Sequence, residues 1–137
     1  MNRTQFQKLT VERVHDAEAL LGAGRWSGAY YLAGYAAECA LKACIAKLTK
    51  RYDFPDKDRV SKSYTHNIEN LLHLAGLRNQ RDRDILENPE FGRSWAFLKD
   101  WDEQARYLVW TQKEAREFFA AVTDDTKEVL PWIMVRW

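Results

Sequence analysis

Residues 25–50 read RWSGAYYLAGYAAECALKACIAKLTK, and the fold turns on how this stretch is read. It contains no proline and is rich in alanine, leucine and unbranched side chains, so helix propensity is high throughout. Apolar or small residues recur at Trp26, Tyr30, Ala33, Ala37, Leu41, Cys44 and Leu48. These steps of three and four place one continuous stripe along one side of a helix. The stripe is mostly alanine, with Gly34 beside it, and such small residues let a neighbouring backbone come close. The opposite flank carries Tyr31, Tyr35, Glu38 and Lys42. Glu38 and Lys42 stand at i and i+4 with the acid on the N-terminal side, an orientation worth a few tenths of a kcal/mol on an exposed surface. The stretch therefore predicts a central helix around which the other helices pack.

The surrounding composition limits what such a helix serves. A chain of 137 residues corresponds to one domain, residues 1–137, and is long enough to bury a sizeable core. Hydrophobic content of 46% and six tryptophans point to a folded protein. The 21 basic and 20 acidic residues leave a formal charge of +1, which argues against bulk electrostatic attraction to nucleic acid or membrane but leaves room for a local patch. No apolar run approaches a membrane span, and the opening MNRTQFQKLT lacks a signal-peptide core, so a soluble cytoplasmic protein is expected. Cys39 and Cys44 are five residues apart on one helix, too far for a disulfide and in no common zinc spacing; both read as small buried hydrophobes.

Residues 10–21 predict a first helix, with Thr10 as N-cap, Val11, Val14, Ala17 and Leu21 buried, and Gly22 or Gly24 as its stop. The short link to the central helix favours an antiparallel hairpin. Residues 51–64 contain Pro55 and mixed charge without period and read as a surface loop. Thr65 or Asn67 then caps a short helix with Ile68, Leu71, Leu72 and Ala75 facing inward, ended by Gly76. Residues 77–87 are polar around Ile85 and Leu86 and read as a loop with one turn of helix at most. Asn88–Pro89 opens a fourth helix whose spacing continues through Phe91, Trp95, Leu98, Trp101, Ala105 and Leu108 or Val109 to Trp110. Thr111 and Glu114 form a capping box for a last helix, with Ala115, Phe118, Phe119, Val122, Thr126, Val129 and Ile133 inward and a kink or stop near Leu130 imposed by Pro131. No strand or hairpin signal occurs. The expected fold is an all-α, up-and-down bundle of four to five helices.

Walker, dinucleotide-binding, HExxH and Cys-x-x-Cys signatures are all missing. His66 and His73 lie one heptad apart without a third ligand, a pattern that favours capping or partial burial and predicts no metal and no cofactor. Asp102 and Arg106 are spaced as an i,i+4 surface pair, while Arg106 held in a cleft would bind phosphate. Arg59 and His66 are separated by six residues, a pairing suited to metal-free RNA cleavage, with histidine as acid or base and arginine stabilising the phosphorane. Arg78, Arg81 and Arg83 alternate with Asp82 and Asp84, which reads as a solvated face.

Three segments, GAYYLAGYAAECALKACIAK (28–47), THNIENLLHLAGL (65–77) and DEQARYLVWTQKEAREFFAAV (102–122), together resemble the HEPN family, the higher eukaryote and prokaryote nucleotide-binding domains. The resemblance covers residues 9–132. It implies a four- or five-helix bundle, usually dimeric, often found beside a minimal nucleotidyltransferase in toxin–antitoxin or defence systems. Many members are metal-independent RNases with an Arg-x(4–6)-His motif near the last helices and an active site shared across the dimer. Carried over residue by residue, Glu38 and Lys42 match the acid and lysine of the second helix, His66 the histidine of the third, and Arg106 with Tyr107 the Arg-Tyr of the fourth. Downstream of Arg106 no histidine follows in the motif window, so the chain resembles the branch without the usual catalytic pair.

Three readings follow. The first is a dimeric module binding nucleotide, RNA or a nucleotidyltransferase, with Tyr35, Glu38, Lys42, His66, Arg106 and Tyr107 lining one cleft. The second is a toxin-type endoribonuclease with His66 as acid/base and Arg106, or alternatively Arg59, as the phosphate-binding cation. The third is a structural interaction protein, with Trp110, Trp132 and Trp137 as exposed anchors. Aromatic residues of the central or last helices are expected to form the two-fold homodimer interface.

Overall fold

The computed structural model describes residues 1–51, 57–124 and 128–137, apart from the side chains at 50, 51 and 59. Everything described is helix, turn or loop, with no strand among the described residues, so the all-α class holds. The central stretch forms α2 (Trp26–Arg51). It packs against α1 (Arg3–Gly22), α4 (Ile68–Leu74), α7 (Gln112–Thr123) and α8 (Val129–Met134). Alanines 29, 33, 36, 37, 40 and 43 are all buried, so α2 is enclosed on most sides rather than along one stripe. That is what a helix rich in small residues permits: neighbouring backbones close in around it.

α1 begins eight residues earlier than the Thr10 cap would place it, at Arg3 with Asn2 as its cap. Asn2 accepts the Gln5 backbone N–H at 2.9 Å while the Gln5 side chain accepts the Asn2 N–H at 2.8 Å, a reciprocal box that satisfies the first free donors. No helix breaker separates this box from Thr10. Thr10 therefore sits mid-helix, fully buried, and donates its hydroxyl to the Phe6 carbonyl at 2.9 Å, while Val11 faces outward. Gly24, at φ +73°, makes the left-handed turn that sends α2 back along α1.

The expected loop at 51–64 contains a short helix, α3 (Lys57–Lys62); Pro55 lies outside the described residues. Asn67 is the cap of α4, accepting from Asn70 N–H at 2.9 Å, and the four expected apolar residues of this helix are buried. Residues 78–87 form a ten-residue helix, α5, and not a loop. Polar pairing holds it. Arg81 is only 7% exposed and donates from both terminal nitrogens to Glu69 (2.5 and 2.8 Å) and from Nε to Asp82 (2.8 Å). Asp84 accepts from the Trp132 indole at 2.7 Å. Arg81 and Asp84 are thus anchors, while Arg78, Asp82 and Arg83 remain exposed, as a solvated face requires.

The helix opened by Asn88 and Pro89 stops at Lys99 (α6, Pro89–Lys99) instead of reaching Trp110. Trp101 turns into the core, 2% exposed, and a separate 3₁₀ turn runs over Glu103–Tyr107. Beyond it Leu108 and Val109 are exposed, contrary to their expected burial. The Thr111–Glu114 capping box opens α7 as expected. The break before α8 comes earlier than Leu130, and Pro131 sits in the first turn of α8, where its missing N–H costs nothing. Thr126 lies outside the described residues. The tryptophans expected as exposed anchors are packed: Trp132 is buried among Phe91 and Trp95, and Trp110 stacks on Tyr30 with ring centroids 3.7 Å apart.

Candidate functional site

Glu38 lies at the middle of α2 and is 1% exposed, although its spacing to Lys42 reads as a surface pair. Burying a carboxylate without partners costs several kcal/mol, so its surroundings must compensate. One oxygen is fully engaged: Oε1 accepts Lys42 Nζ at 2.9 Å and His66 Nδ1 at 2.8 Å. The other, Oε2, is buried without a partner. One turn earlier, Gly34 provides the slot that covers this region. A Cβ there would lie 2.2 Å from the Trp101 indole nitrogen, so only glycine admits the ring. The Trp101 N–H is itself buried and unpartnered. An unused acceptor and an unused donor thus flank adjacent turns of α2.

His66 precedes the Asn67 cap of α4, and Thr65 fixes that entry by accepting the Asn67 N–H at 3.1 Å. Because a carboxylate can only accept, Nδ1 of His66 carries the proton shared with Glu38. The other ring nitrogen faces Glu103 Oε2 at 3.3 Å. A doubly protonated ring donates to both acids; a neutral ring donates to Glu38 alone. Glu103 was not a sequence candidate. It sits on the 3₁₀ turn, where a continuous helix was expected, and its only signal was its place within the quoted DEQARY segment.

Arg106 follows three residues later and is fully exposed. It makes no ion pair with Asp102. With the helix ended at Lys99, Asp102 instead caps the 3₁₀ turn, accepting the Gln104 N–H at 2.7 Å. The Arg106 guanidinium lies over the Tyr107 ring, 4.8 Å from its centroid. Its pKa is shifted up, first by hydrogen bonding to Tyr107, with Tyr31 and Glu103 adding negative field. Tyr31 in turn stacks with Trp101 (5.8 Å) and Tyr35 (6.2 Å). Burial, then the neighbouring Cys39 and Glu38, raise the Tyr35 phenol above its ordinary range.

Lys42, Glu38, His66 and Glu103 thus form one connected chain of polar contacts, and Tyr35, Tyr31, Trp101 and Arg106 border it. No hydrogen bond or ion pair joins Arg106 to His66; Glu103 contacts His66 and adds negative field at Arg106. The Arg59 side chain, the alternative cation, lies outside the described residues. No cluster of three histidine, cysteine or carboxylate side chains suited to a metal occurs among the described residues. Both cysteines are buried thiols, not a disulfide.

A family model for the HEPN domain matches residues 11–136, nearly the whole chain. The chain belongs to the HEPN family. Curated proteins and solved structures bring no significant match. Within this HEPN domain, the polar centre joins α2, the entry to α4 and the 3₁₀ turn, the three segments whose sequences carry the resemblance. No helix among the described residues is long and apolar enough to cross a membrane.

Proposed function

We propose that this HEPN domain is a nucleotide- or RNA-binding module, working as a homodimer and forming one component of a toxin–antitoxin or defence system with a minimal nucleotidyltransferase. The observation that carries the reading is the Glu38–His66–Glu103 chain ending beside an exposed arginine. The exposed Arg106, lying over one face of the Tyr107 ring, supplies a cation for phosphate, and Tyr107, 68% exposed, offers its other face to a base. The buried part of the network holds this rim in register, while the family resemblance is what supports the partner and the two-component setting. Titrating AMP and a short single-stranded RNA against the protein, followed by tryptophan fluorescence, tests it. Arg106→Ala and Tyr107→Ala are each expected to weaken binding by about tenfold, the scale of one charge-assisted contact or one stacked base. Binding that neither substitution changes would sink the site. Light scattering showing a monomer at high micromolar concentration would remove the dimer.

A second reading, a metal-independent endoribonuclease, is favoured by one feature: His66 is oriented by a buried carboxylate, as a general base must be. Its test is RNA cleavage in EDTA by wild type, His66→Ala and Arg106→Ala. Cleavage lost in both variants with the fold intact makes the domain an RNase; no cleavage by wild type leaves the binding module.

A further inference from the structure

A second concave site lies away from the Glu38 network, between α4, α5 and α6. It is a groove of about 590 Å³, within the range of small-molecule sites. Ile85, Gly92, Trp95 and Ala96 are its apolar lining. Gly92 sets its depth, since a Cβ there would meet Ile85 at 2.9 Å. The buried Arg81 guanidinium forms one wall, fixed over the Trp95 ring at 4.9 Å and by its bonds to Glu69 and Asp82. The Trp95 indole N–H, 2% exposed as a residue, has no acceptor.

Around this rigid frame the charges divide unequally. Glu69 has both oxygens bonded to Arg81. Asp82 uses one oxygen and keeps the other. Arg78 and Lys99, both on the lining and exposed, have no ion-pair partner among the described residues, and His73 adds a further nitrogen at the same rim. The site therefore combines unpaired cations with isolated acceptors, the free Asp82 oxygen and the Asn70 side chain. Cations of this kind take a phosphate dianion, and the acceptors take hydroxyl protons.

We propose that the α4–α5–α6 groove binds a small hydroxylated phosphomonoester, its phosphate between Arg78 and Lys99 and its hydroxyls on Asp82 and Asn70. The site shares no residue with the Glu38 network, so the two stand or fall separately. Calorimetric titration with ribose 5-phosphate, inorganic phosphate and ribose tests it. Wild type is expected to bind ribose 5-phosphate saturably at millimolar concentration or below, and more tightly than either fragment. The exposed pair Arg78→Ala/Lys99→Ala should weaken binding by about tenfold or more. Asp82→Asn should narrow the gap between ribose 5-phosphate and inorganic phosphate. His66→Ala/Arg106→Ala should bind as wild type. No saturable binding, binding indifferent to Arg78 and Lys99, or equal affinity for inorganic phosphate would each overturn the assignment, as would binding lost only in the His66/Arg106 variant.

Discussion

Among the described residues two charged side chains are nearly inaccessible, and they are buried in different ways. Arg81, 7% exposed, has every guanidinium nitrogen engaged by Glu69 or Asp82 and its flat face on Trp95. Glu38, 1% exposed, has one oxygen shared by two cations and the other without a partner. Buried charges are costly unless geometry and hydrogen bonding are complete. The arginine centre meets that condition and serves as a brace for α5. The glutamate centre falls short of it, with one oxygen left unpartnered on the side chain that holds His66. The two centres thus differ in how completely their buried charge is satisfied.

The largest expected effect breaks the glutamate side. Gly34→Ala places a methyl where the Trp101 indole lies, so the ring must leave its slot. The loss should approach that of deleting a buried aromatic, about 3 kcal/mol, read as a lower midpoint in urea. A variant as stable as wild type would mean that Trp101 does not close this face.

Next comes the brace. Arg81→Ala strands Glu69, whose side chain is still 28% exposed, so the cost should be about 2 kcal/mol, below that of a fully buried pair. Its pH dependence separates it from simple loss of packing. The hydrogen bond from Arg81 holds the Glu69 carboxyl below its ordinary range, ahead of the opposing effect of burial. A group whose pKa is lower folded than unfolded stabilises fully above the unfolded value and loses that contribution as pH falls through the folded one. Wild type should therefore lose stability below about pH 4, and the Arg81→Ala variant should show a shallower acid limb. Parallel acid limbs would show that the pair carries no pH-dependent stability.

These two centres also mark what could be read from the sequence. The central helix, the Asn67 and Asn88 caps, the Thr111–Glu114 box and the inward faces of α4 and α7 follow from local rules, and they are observed. Glu38 and Lys42 stand out on an unusual polar flank and His66 as the match to the family's third-helix histidine, and the three do meet. What escaped was set by tertiary context. α5 has only Ile85 and Leu86 as adjacent apolar residues, and its helix rests on partners 12 and 48 residues away, at Glu69 and Trp132, which periodicity cannot see. The end of α6 at Lys99 was masked because Trp101 and Ala105 keep helical spacing while lying beyond the helix. With a 3₁₀ turn there, Asp102 becomes a cap and Glu103, not Asp102, joins the network.

A smaller effect sharpens the contrast from inside α2. Burial, then the charge of Glu38, pushes the Cys39 thiol up to about 12, while burial alone raises Cys44, to about 11. Glu38→Gln keeps the shape and removes the charge. Its stability cost should be about 1 kcal/mol, the difference between a charged and a neutral hydrogen bond. Iodoacetamide should then label Cys39 a few-fold faster, with Cys44 as an internal control held back by the same burial in both proteins. Equal acceleration at both cysteines would report general loosening and remove the argument for a local field.

The smallest stability effect belongs to the residue that closes the network. Glu103 and His66 have side chains 41% and 43% exposed, and ion pairs of that exposure contribute little, so Glu103→Gln should change stability by less than about 0.5 kcal/mol. Its effect should appear at the ring instead. In wild type the Nε2 side faces a carboxylate; in the variant it faces an amide that can donate to a neutral imidazole or accept from a charged one. The imidazole ¹⁵N spectrum should keep Nδ1 protonated in both proteins, because Glu38 is untouched, and should shift at Nε2 alone. A shift at Nδ1 would mean that Glu103 governs the buried bond as well, and that the two acids act on His66 as one unit.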